Sequence, residues 1–263
     1  MNVTRLILLG LVPCAFIGWV PTEVDARRFT YTYQSGVADK GEVEFASWTT
    51  LRTQQDVFYR GFDQRAEFEV GVASRLQTAW YLNFAAVAQD ETPGVRQSEV
   101  AWDGVSNEWV YQLQDAVSNP FGMALYFEWG LAPTEADIEF KLILDKRTGD
   151  FLTAFNATVE PEWDYESAET ESAVNLEFDL AAAYFLSSAF SLGAEMHNYT
   201  TWTDGGANRY SALLLGPVAS YAADGWEATL TVLPQIATLS GDDPAQSGND
   251  KLETRLVFGI DLR

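Results

Sequence analysis

Cysteine, histidine and basic residues are all scarce in this chain. Its 263 residues include one cysteine (Cys14) and one histidine (His197), and 16 Lys and Arg residues stand against 38 Asp and Glu residues, giving a net charge of −22. A single cysteine excludes an intramolecular disulfide and any multi-cysteine metal site. Nucleic-acid binding is disfavoured as well, because phosphate contacts need clustered Lys and Arg.

Long apolar runs are also absent beyond the first 26 residues, so no membrane-spanning helix is predicted after them. The N-terminal stretch has the form of an export signal. Arg5 gives a short positive region, Leu6 to Val20 is largely apolar, and Val24-Asp25-Ala26 places small residues just before Arg27. We therefore expect a signal peptide over residues 1–26 that is removed by cleavage.

Two other interpretations of this N-terminal stretch have less support. An uncleaved membrane anchor is disfavoured by Pro13 and by an apolar length of roughly 15 residues, which is short for a spanning helix. The run Leu11-Val12-Pro13-Cys14 superficially matches a lipoprotein cleavage box. However, Pro13 stands where such a box needs a small residue.

Strict alternation of apolar and polar residues marks the rest of the chain, and it is clearest over Arg65–Ala88. A period of two indicates strands with one apolar and one polar face. A three-residue turn at Ala73-Ser74-Arg75 would pair Val72 with Leu76 and Phe68 with Trp80 on matching faces, without a bulge. The stretch is therefore predicted to be a β-hairpin.

The same alternation recurs along the chain at intervals of roughly ten to fifteen residues. Ten further strands are predicted at Gly41–Arg52, Val100–Leu113, Phe121–Leu131, Ala136–Asp145, 151–159, 173–184, 190–198, Arg209–Ala222, Trp226–Ala237 and Leu252–Arg263. Short turns alternate with longer polar loops, except at Ala132–Thr134, which is short where a long loop is due. This pattern predicts an all-β fold: an up-and-down antiparallel transmembrane β-barrel of about 12 strands over residues 41–263. Residues 27–40 are predicted to be a polar N-terminal lead-in with a short extended piece at Phe29–Tyr33.

A soluble β-sandwich would also alternate, so the position of the aromatic residues decides between the two. In a sandwich the aromatic residues would concentrate in the core. Here they are predicted to lie toward strand ends on the apolar face, as in the girdles at a membrane interface. This set comprises Trp80, Phe84, Phe121, Phe127, Trp129, Tyr184 and Trp226. The membrane barrel is favoured.

The sequence of the hairpin also resembles a motif found in other proteins. Its residues Glu67, Phe68, Gly71, Val72, Arg75, Leu76, Gln77, Tyr81 and Leu82 resemble a motif in a poorly characterised family of bacterial outer-membrane β-barrel proteins that are porin-like. The likeness covers most of residues 41–263, and each motif is a strand pattern. The resemblance implies a barrel in the outer membrane of a Gram-negative bacterium, and it supplies no catalytic residues. The terminal Asp261-Leu262-Arg263 departs from the aromatic end that is common in such barrels.

Enzymatic chemistry has little support in the sequence. His197 is predicted to face inward with Ser191, but six residues along a strand separate two side chains by about 20 Å. These two side chains cannot form a catalytic pair, although a serine on a neighbouring strand would remain an option. We expect no enzyme activity, no catalytic residues, no metal and no cofactor.

Charged residues are predicted to line the lumen. They are Glu67, Glu69, Glu128, Asp137, Glu139, Lys141, Glu177, Asp179, Glu195, His197 and Arg255. Many like charges in a narrow space need water or cations to screen them. A hydrated acidic lumen would attract cations and repel anions. The alternative is a lumen plugged by its own network of ion pairs, with no conduction.

The acidic loop over residues 160–171 and the pair Asp242-Asp243 are predicted to be solvated. A divalent cation bridging them to anionic lipopolysaccharide is a weaker alternative. The expected partners are outer-membrane lipid and lipopolysaccharide and small cationic or neutral solutes, with no nucleic acid. The predicted function is a passive, cation-preferring pore. A non-conducting structural or adhesive barrel is the first alternative, and a lipid-modifying barrel enzyme is the second.

Overall fold

The computed structural model describes residues 26–53, 58–92, 95–166, 170–203, 208–241 and 250–262. Twelve strands make up almost all of it. They are β1 (Val43–Thr53), β2 (Tyr59–Ala73), β3 (Leu76–Thr92), β4 (Val95–Gln114), β5 (Gly122–Leu131), β6 (Glu135–Thr148), β7 (Phe151–Asp164), β8 (Glu171–Phe185), β9 (Phe190–Thr203), β10 (Asn208–Ala223), β11 (Trp226–Gly241) and β12 (Leu252–Asp261).

Each strand pairs antiparallel with its neighbours in sequence, and β1 pairs with β12, so the sheet closes on itself. The prediction of a 12-stranded up-and-down barrel is confirmed. Closure leaves no free strand edge, as a β structure in lipid requires. No helix long and apolar enough to cross a membrane is present in the described part of the chain.

The two ends of the barrel differ in their connections. One end carries the five connections that follow β2, β4, β6, β8 and β10, together with the start of β1 and the end of β12. We call it the turn end, and we call the opposite end the loop end. Short turns face the periplasm in barrels of this kind. At the loop end, the connection between β5 and β6 spans only residues 132–134, as predicted.

The first hairpin departs from its predicted register at the turn. Phe68 does face Trp80, as predicted, but Leu76 pairs with Ala73, and the register shifts between Gly71 and Ala73. The turn is therefore the two residues Ser74 and Arg75, with Val72 in a bulge. The prediction of a bulge-free three-residue turn was wrong, because a two-residue turn plus one bulged residue preserves the same facing of side chains.

The barrel is inside out relative to a soluble protein. Its large apolar side chains are exposed on the outer face, including Trp80, Phe84, Leu125, Phe140, Leu180, Tyr184 and Trp226. Its buried side chains include 26 polar or charged residues. A soluble sandwich would bury the apolar face, so that alternative fails. An outer face this apolar fits hydrocarbon, and the fold is that of a transmembrane β-barrel.

Aromatic side chains mark both ends of the outer face. Near the turn end, Phe151 and Tyr184 make an edge-to-face contact with ring centroids 4.9 Å apart. Near the loop end, Trp163 and Trp202 are exposed one residue before the ends of β7 and β9. Aromatic residues at both ends are typical of the two girdles of a membrane barrel. Of the residues predicted toward the strand ends, three lie nearer the strand middles: Trp80, Phe84 and Phe127.

Residues 27–40, predicted to be a polar lead-in, are called the lumen segment here, because all of them except the exposed Asp39 and Lys40 lie inside the barrel. Phe29, Thr30 and Thr32 are at most 1% exposed. The segment enters at the turn end, where Gly41 has a φ of 90° and lets the chain turn into β1. Gly71 faces the backbone of Ala38 and Asp39 so closely that a side chain at this position would clash.

Candidate functional site: the occupied lumen

The lumen segment folds back on itself within the turn-end half of the barrel. Ala38 N–H donates to Gln77 on β3 (2.8 Å), close to the turn end. At the tip of the segment, the Tyr31 hydroxyl donates to Glu253 near the loop-end start of β12 (2.6 Å). The chain then returns, and the Arg28 guanidinium reaches the carbonyl of Ala189 in the turn between β8 and β9 (3.2 Å). The segment is therefore a loop that enters and leaves on the turn-end side.

Glu195 on β9 is the main anchor for the tip. Its carboxylate accepts the backbone N–H groups of Thr30, Tyr31 and Thr32 at 3.0, 2.9 and 2.9 Å. The hydroxyl of Thr231 on β11 donates to the same carboxylate (2.5 Å). Glu195 is 0% exposed. A buried carboxylate needs several donors, and here the segment's own backbone supplies most of them.

Asn156 on β7 completes the hold on the tip. Its side-chain oxygen accepts the N–H of Tyr33 (2.6 Å), and its side-chain nitrogen donates to the carbonyl of Tyr33 (3.1 Å). The side-chain amide of Asn156 thus bonds both the N–H and the carbonyl of Tyr33, as the backbone of a neighbouring strand would. Side chains replace the β-ladder here, so the segment is bound to the barrel wall without being one of its strands.

Arg27 lies between two aromatic rings. Its guanidinium carbon is 4.4 Å from the centroid of Tyr33 and 4.5 Å from that of Trp48. Cation–π contacts of this kind stabilise a cation that has lost its water. The nearby wall is acidic: the indole of Trp48 donates to Glu67 (2.5 Å), and the hydroxyl of Tyr81 contacts both Glu67 (2.9 Å) and Glu108 (2.5 Å).

Toward the loop end, two basic side chains of the lumen are paired with carboxylates. Arg65 forms a salt bridge with Glu128 (2.7 Å), and Lys141 forms one with Glu139 (2.8 Å). Arg255 lies over the ring of Tyr31 at 3.8 Å and so contacts the tip of the lumen segment. Arg65 and Glu128 join β2 to β5, whereas Lys141 and Glu139 are neighbours on the inner face of β6. Two cavities remain beside these pairs.

The two cavities lie on the loop-end side of the segment and share Trp48, Arg65 and Arg255 as lining residues. The first has a volume of about 240 Å³, and five carboxylate side chains line it. The second has a volume of about 270 Å³, and its lining contains five carboxylates and two guanidinium groups. A third cavity of about 50 Å³ lies on the turn-end side, lined by four carboxylates and Arg27. Tyr33 borders both this cavity and the first, so the segment separates the two sides.

His197 is paired with a carboxylate. Its Nδ1 is 2.6 Å from Asp179, its directly opposite neighbour on β8, and its ring centroid is 5.1 Å from that of Tyr31. Glu177 completes a group whose potential ligand atoms lie within 4.8 Å of one another. Two carboxylates and an imidazole could hold a divalent cation. Ser191 lies six residues back along β9, so the structure does not bring it to His197.

The structure places all eleven predicted lumen residues on the inner face. They line the cavities, pair with one another or bind the lumen segment. Their role in passing solutes stays a prediction. Sequence reasoning omitted Glu108 and Asn156 from this set, and it did not place the lumen segment. One signal was available: residues 29–33 alternate aromatic and polar side chains directly after two arginines, in a chain otherwise rich in acids.

The acidic loop over residues 160–171 and the Asp242-Asp243 pair are described only in part. Glu160 and Glu162 belong to β7 and accept hydrogen bonds from Asn175 (3.2 and 3.0 Å). Residues 167–169 and the Asp242-Asp243 pair lie outside the described residues. Binding of lipopolysaccharide through these loops stays a prediction.

Comparison with known proteins agrees with this architecture. The sequence profile of a family described as "Family of unknown function (DUF6662)" matches residues 22–256. No curated protein sequence matches the chain.

Among solved structures, the KdgM porin has 11% sequence identity and a TM-score of 0.51, covering 84% of this chain and 99% of that one. The NanC porin has 12% identity and a TM-score of 0.50, covering 83% and 99%. The β domain of the Bordetella autotransporter BrkA has 10% identity and a TM-score of 0.53, covering 85% and 100%. At these identities the likeness concerns the fold alone.

Proposed function

We propose that this chain, which belongs to the family of unknown function DUF6662, is a passive pore for small solutes with a preference for cations, gated by its own lumen segment. The observation that carries the proposal is the way the segment is held. Every strand already has both of its neighbours without it, so the barrel is complete and the segment can leave without breaking the sheet.

The charge of the cavities supports a preference for cations. Carboxylates outnumber cationic side chains in all three cavities. Such a lining lowers the potential along the lumen, which concentrates cations and excludes anions. Residues that pair with each other, such as Lys141 and Glu139, contribute little to this field. Carboxylates that form no salt bridge within the described part of the chain, such as Asp137, set its sign.

A non-conducting structural barrel is the second candidate, and one observation favours it. Side chains of β3, β4, β6, β7, β9, β10, β11 and β12 all make hydrogen bonds to the lumen segment. A segment tied to so many strands would serve well as a permanent filling. The two candidates differ in one measurable respect, which is whether removing the segment creates a conducting path.

Removing residues 28–38 tests the gate. We expect stepwise single-channel openings in planar bilayers from the shortened protein and far fewer or smaller openings from the full mature chain. Heat-modifiable migration in gels would show that both are folded barrels. Silence from a folded shortened barrel would rule out the pore and favour the structural role. Equal conductance from both proteins would show that the segment is not a gate.

Asp137→Asn in the shortened protein tests the cation preference. We expect the reversal potential in a salt gradient to move toward zero, because one carboxylate that lines the second cavity loses its charge. The matched control is Asp150→Asn in the exposed turn between β6 and β7, which makes the same change outside the lumen. A reversal potential that both variants shift equally would contradict the assignment to the lumen.

A further inference from the structure

The backbone of Arg27 is held on both sides by the barrel wall. Its N atom donates to the carboxylate of Glu227 on β11 at 2.8 Å. Its carbonyl accepts the hydroxyls of Thr229 (2.7 Å) and Ser220 (3.1 Å). Together with the two aromatic rings around its guanidinium, these contacts hold both the backbone and the side chain of Arg27 in the lumen.

The charges around this residue do not balance. The turn-end cavity is lined by Glu44, Glu67, Glu69 and Glu227, and Arg27 supplies its one cationic side chain. That guanidinium faces Tyr33 and Trp48, while the carboxylate of Glu227 meets a backbone nitrogen. A neutral amide is a weak partner for a buried carboxylate. An ammonium group at the same position would be a charge-assisted donor and would add a second cation to the cavity.

We propose that the peptide bond between Ala26 and Arg27 is a processing site and that Glu227 is the receptor for the new amino terminus. A signal peptidase would add water across this bond. The Ala26 carbonyl carbon gains the oxygen and leaves as a carboxylate on the removed peptide. The Arg27 nitrogen keeps its hydrogen and takes up the two hydrogens of the water, becoming an α-ammonium group. The proposal does not depend on pore activity.

Two independent features of the chain meet at this bond. Val24-Asp25-Ala26 has the small residues that a signal peptidase accepts on the departing side. On the other side, the nitrogen that cleavage would release already lies within hydrogen-bond distance of a carboxylate. Processing therefore turns an amide–carboxylate contact into an ammonium–carboxylate pair. The lumen segment is then held more firmly in the processed chain than in its precursor.

The first experiment determines the amino terminus of the full-length protein after export to a Gram-negative outer membrane. Intact-mass measurement and N-terminal sequencing are expected to give a chain that begins at Arg27. A terminus at any other residue would overturn the proposal, because Glu227 would then face an internal amide.

The second experiment measures burial of the terminal amine. At about pH 7 an amine-reactive ester labels α-amines in preference to lysines, since their pKa is about 8 rather than about 10. The label on Arg27 is then quantified by mass spectrometry. We expect labelling to be at least about tenfold slower in the folded protein than in the denatured one.

Glu227→Gln is expected to restore most of the labelling rate in the folded protein. The matched control is Glu69→Gln, which removes a charge from the same cavity but has no contact with the Arg27 nitrogen among the described residues. Equal labelling of the two variants would show that Glu227 is not the receptor. If the Glu227 variant does not fold, the folded-to-denatured ratio of the unsubstituted protein still decides, because a ratio near one would refute a bound terminus.

Discussion

Replacing Glu195 with Ala is expected to free the tip of the lumen segment. The substitution leaves the N–H groups of Thr30, Tyr31 and Thr32 without their acceptor in a buried place. Each orphaned buried donor costs about 1–3 kcal/mol. The bound state of the segment should therefore lose at least about 3 kcal/mol, which corresponds to a rise of more than about a hundredfold in the population of open states.

Hydrogen exchange measures the population of open states at individual amides. We expect exchange at Thr30, Tyr31 and Thr32 to accelerate strongly in Glu195→Ala, whereas amides of the barrel strands keep their protection because the ladder is intact. Conductance of the same variant should rise toward that of the protein without residues 28–38. A segment that stayed protected after loss of Glu195 would show that Asn156 and the aromatic contacts of Arg27 suffice to hold it.

Glu177→Ala is the matched control for this substitution. Glu177 is also an inward-facing carboxylate, on the neighbouring strand β8, and no hydrogen bond joins it to the lumen segment in the described part of the chain. We expect its loss to change the cavity charge without changing exchange at the tip. Equal acceleration in both variants would mean that lumen charge, rather than the specific acceptor, controls the segment.

The strand count and the closure were predictable because both leave a local trace in the sequence. A strand between lipid and a polar lumen must alternate, and stretches such as Phe121–Leu131 do so over their whole length. Strand ends were predicted too short at the loop end. β7 continues to Asp164 and β9 to Thr203, beyond the predicted residues 159 and 198. In these extensions the outer face carries few apolar side chains, Pro161 and Trp163 on β7 and Trp202 on β9, and acidic or hydroxyl residues surround them. The hydrophobic period therefore weakens while the hydrogen-bonded ladder goes on.

The occupied lumen could not be predicted in the same way, because its contacts are non-local. The N–H of Thr30 meets Glu195 and that of Tyr33 meets Asn156, separations of 165 and 123 residues. Alternation at Phe29–Tyr33 indicated an extended piece but carried no information about its partner. Composition held a partial clue, since Arg27 and Arg28 precede aromatic residues in a chain with few bases. A basic and aromatic segment beside an acidic lumen is complementary to it.

The second large expected effect is a loss of stability when Leu180, on the outer face of the barrel, is replaced by a charged residue. This residue lies on the outer face of β8, 49% exposed, between the aromatic Tyr184 near the turn end and Val174, which pairs with Trp202 near the loop end. It is therefore close to the middle of the apolar band. Leu180→Arg is expected to lower the free energy of unfolding by about 2–4 kcal/mol in lipid vesicles, because a charge at the bilayer midplane loses its water. Guanidinium-induced unfolding measures this difference.

Val117→Arg is the control that separates hydrocarbon from water. Val117 lies in the turn between β4 and β5, is 80% exposed and belongs to no strand. An arginine there remains hydrated, so we expect a change within about 0.5 kcal/mol. If Leu180→Arg were as mild as this control, the apolar outer face would not be in contact with lipid, and a partner protein would have to cover it. A large loss of unfolding free energy in Leu180→Arg, but not in Val117→Arg, requires lipid on the outer face. The charged residues of the inner face can then affect solutes only within the lumen, which the lumen segment occupies.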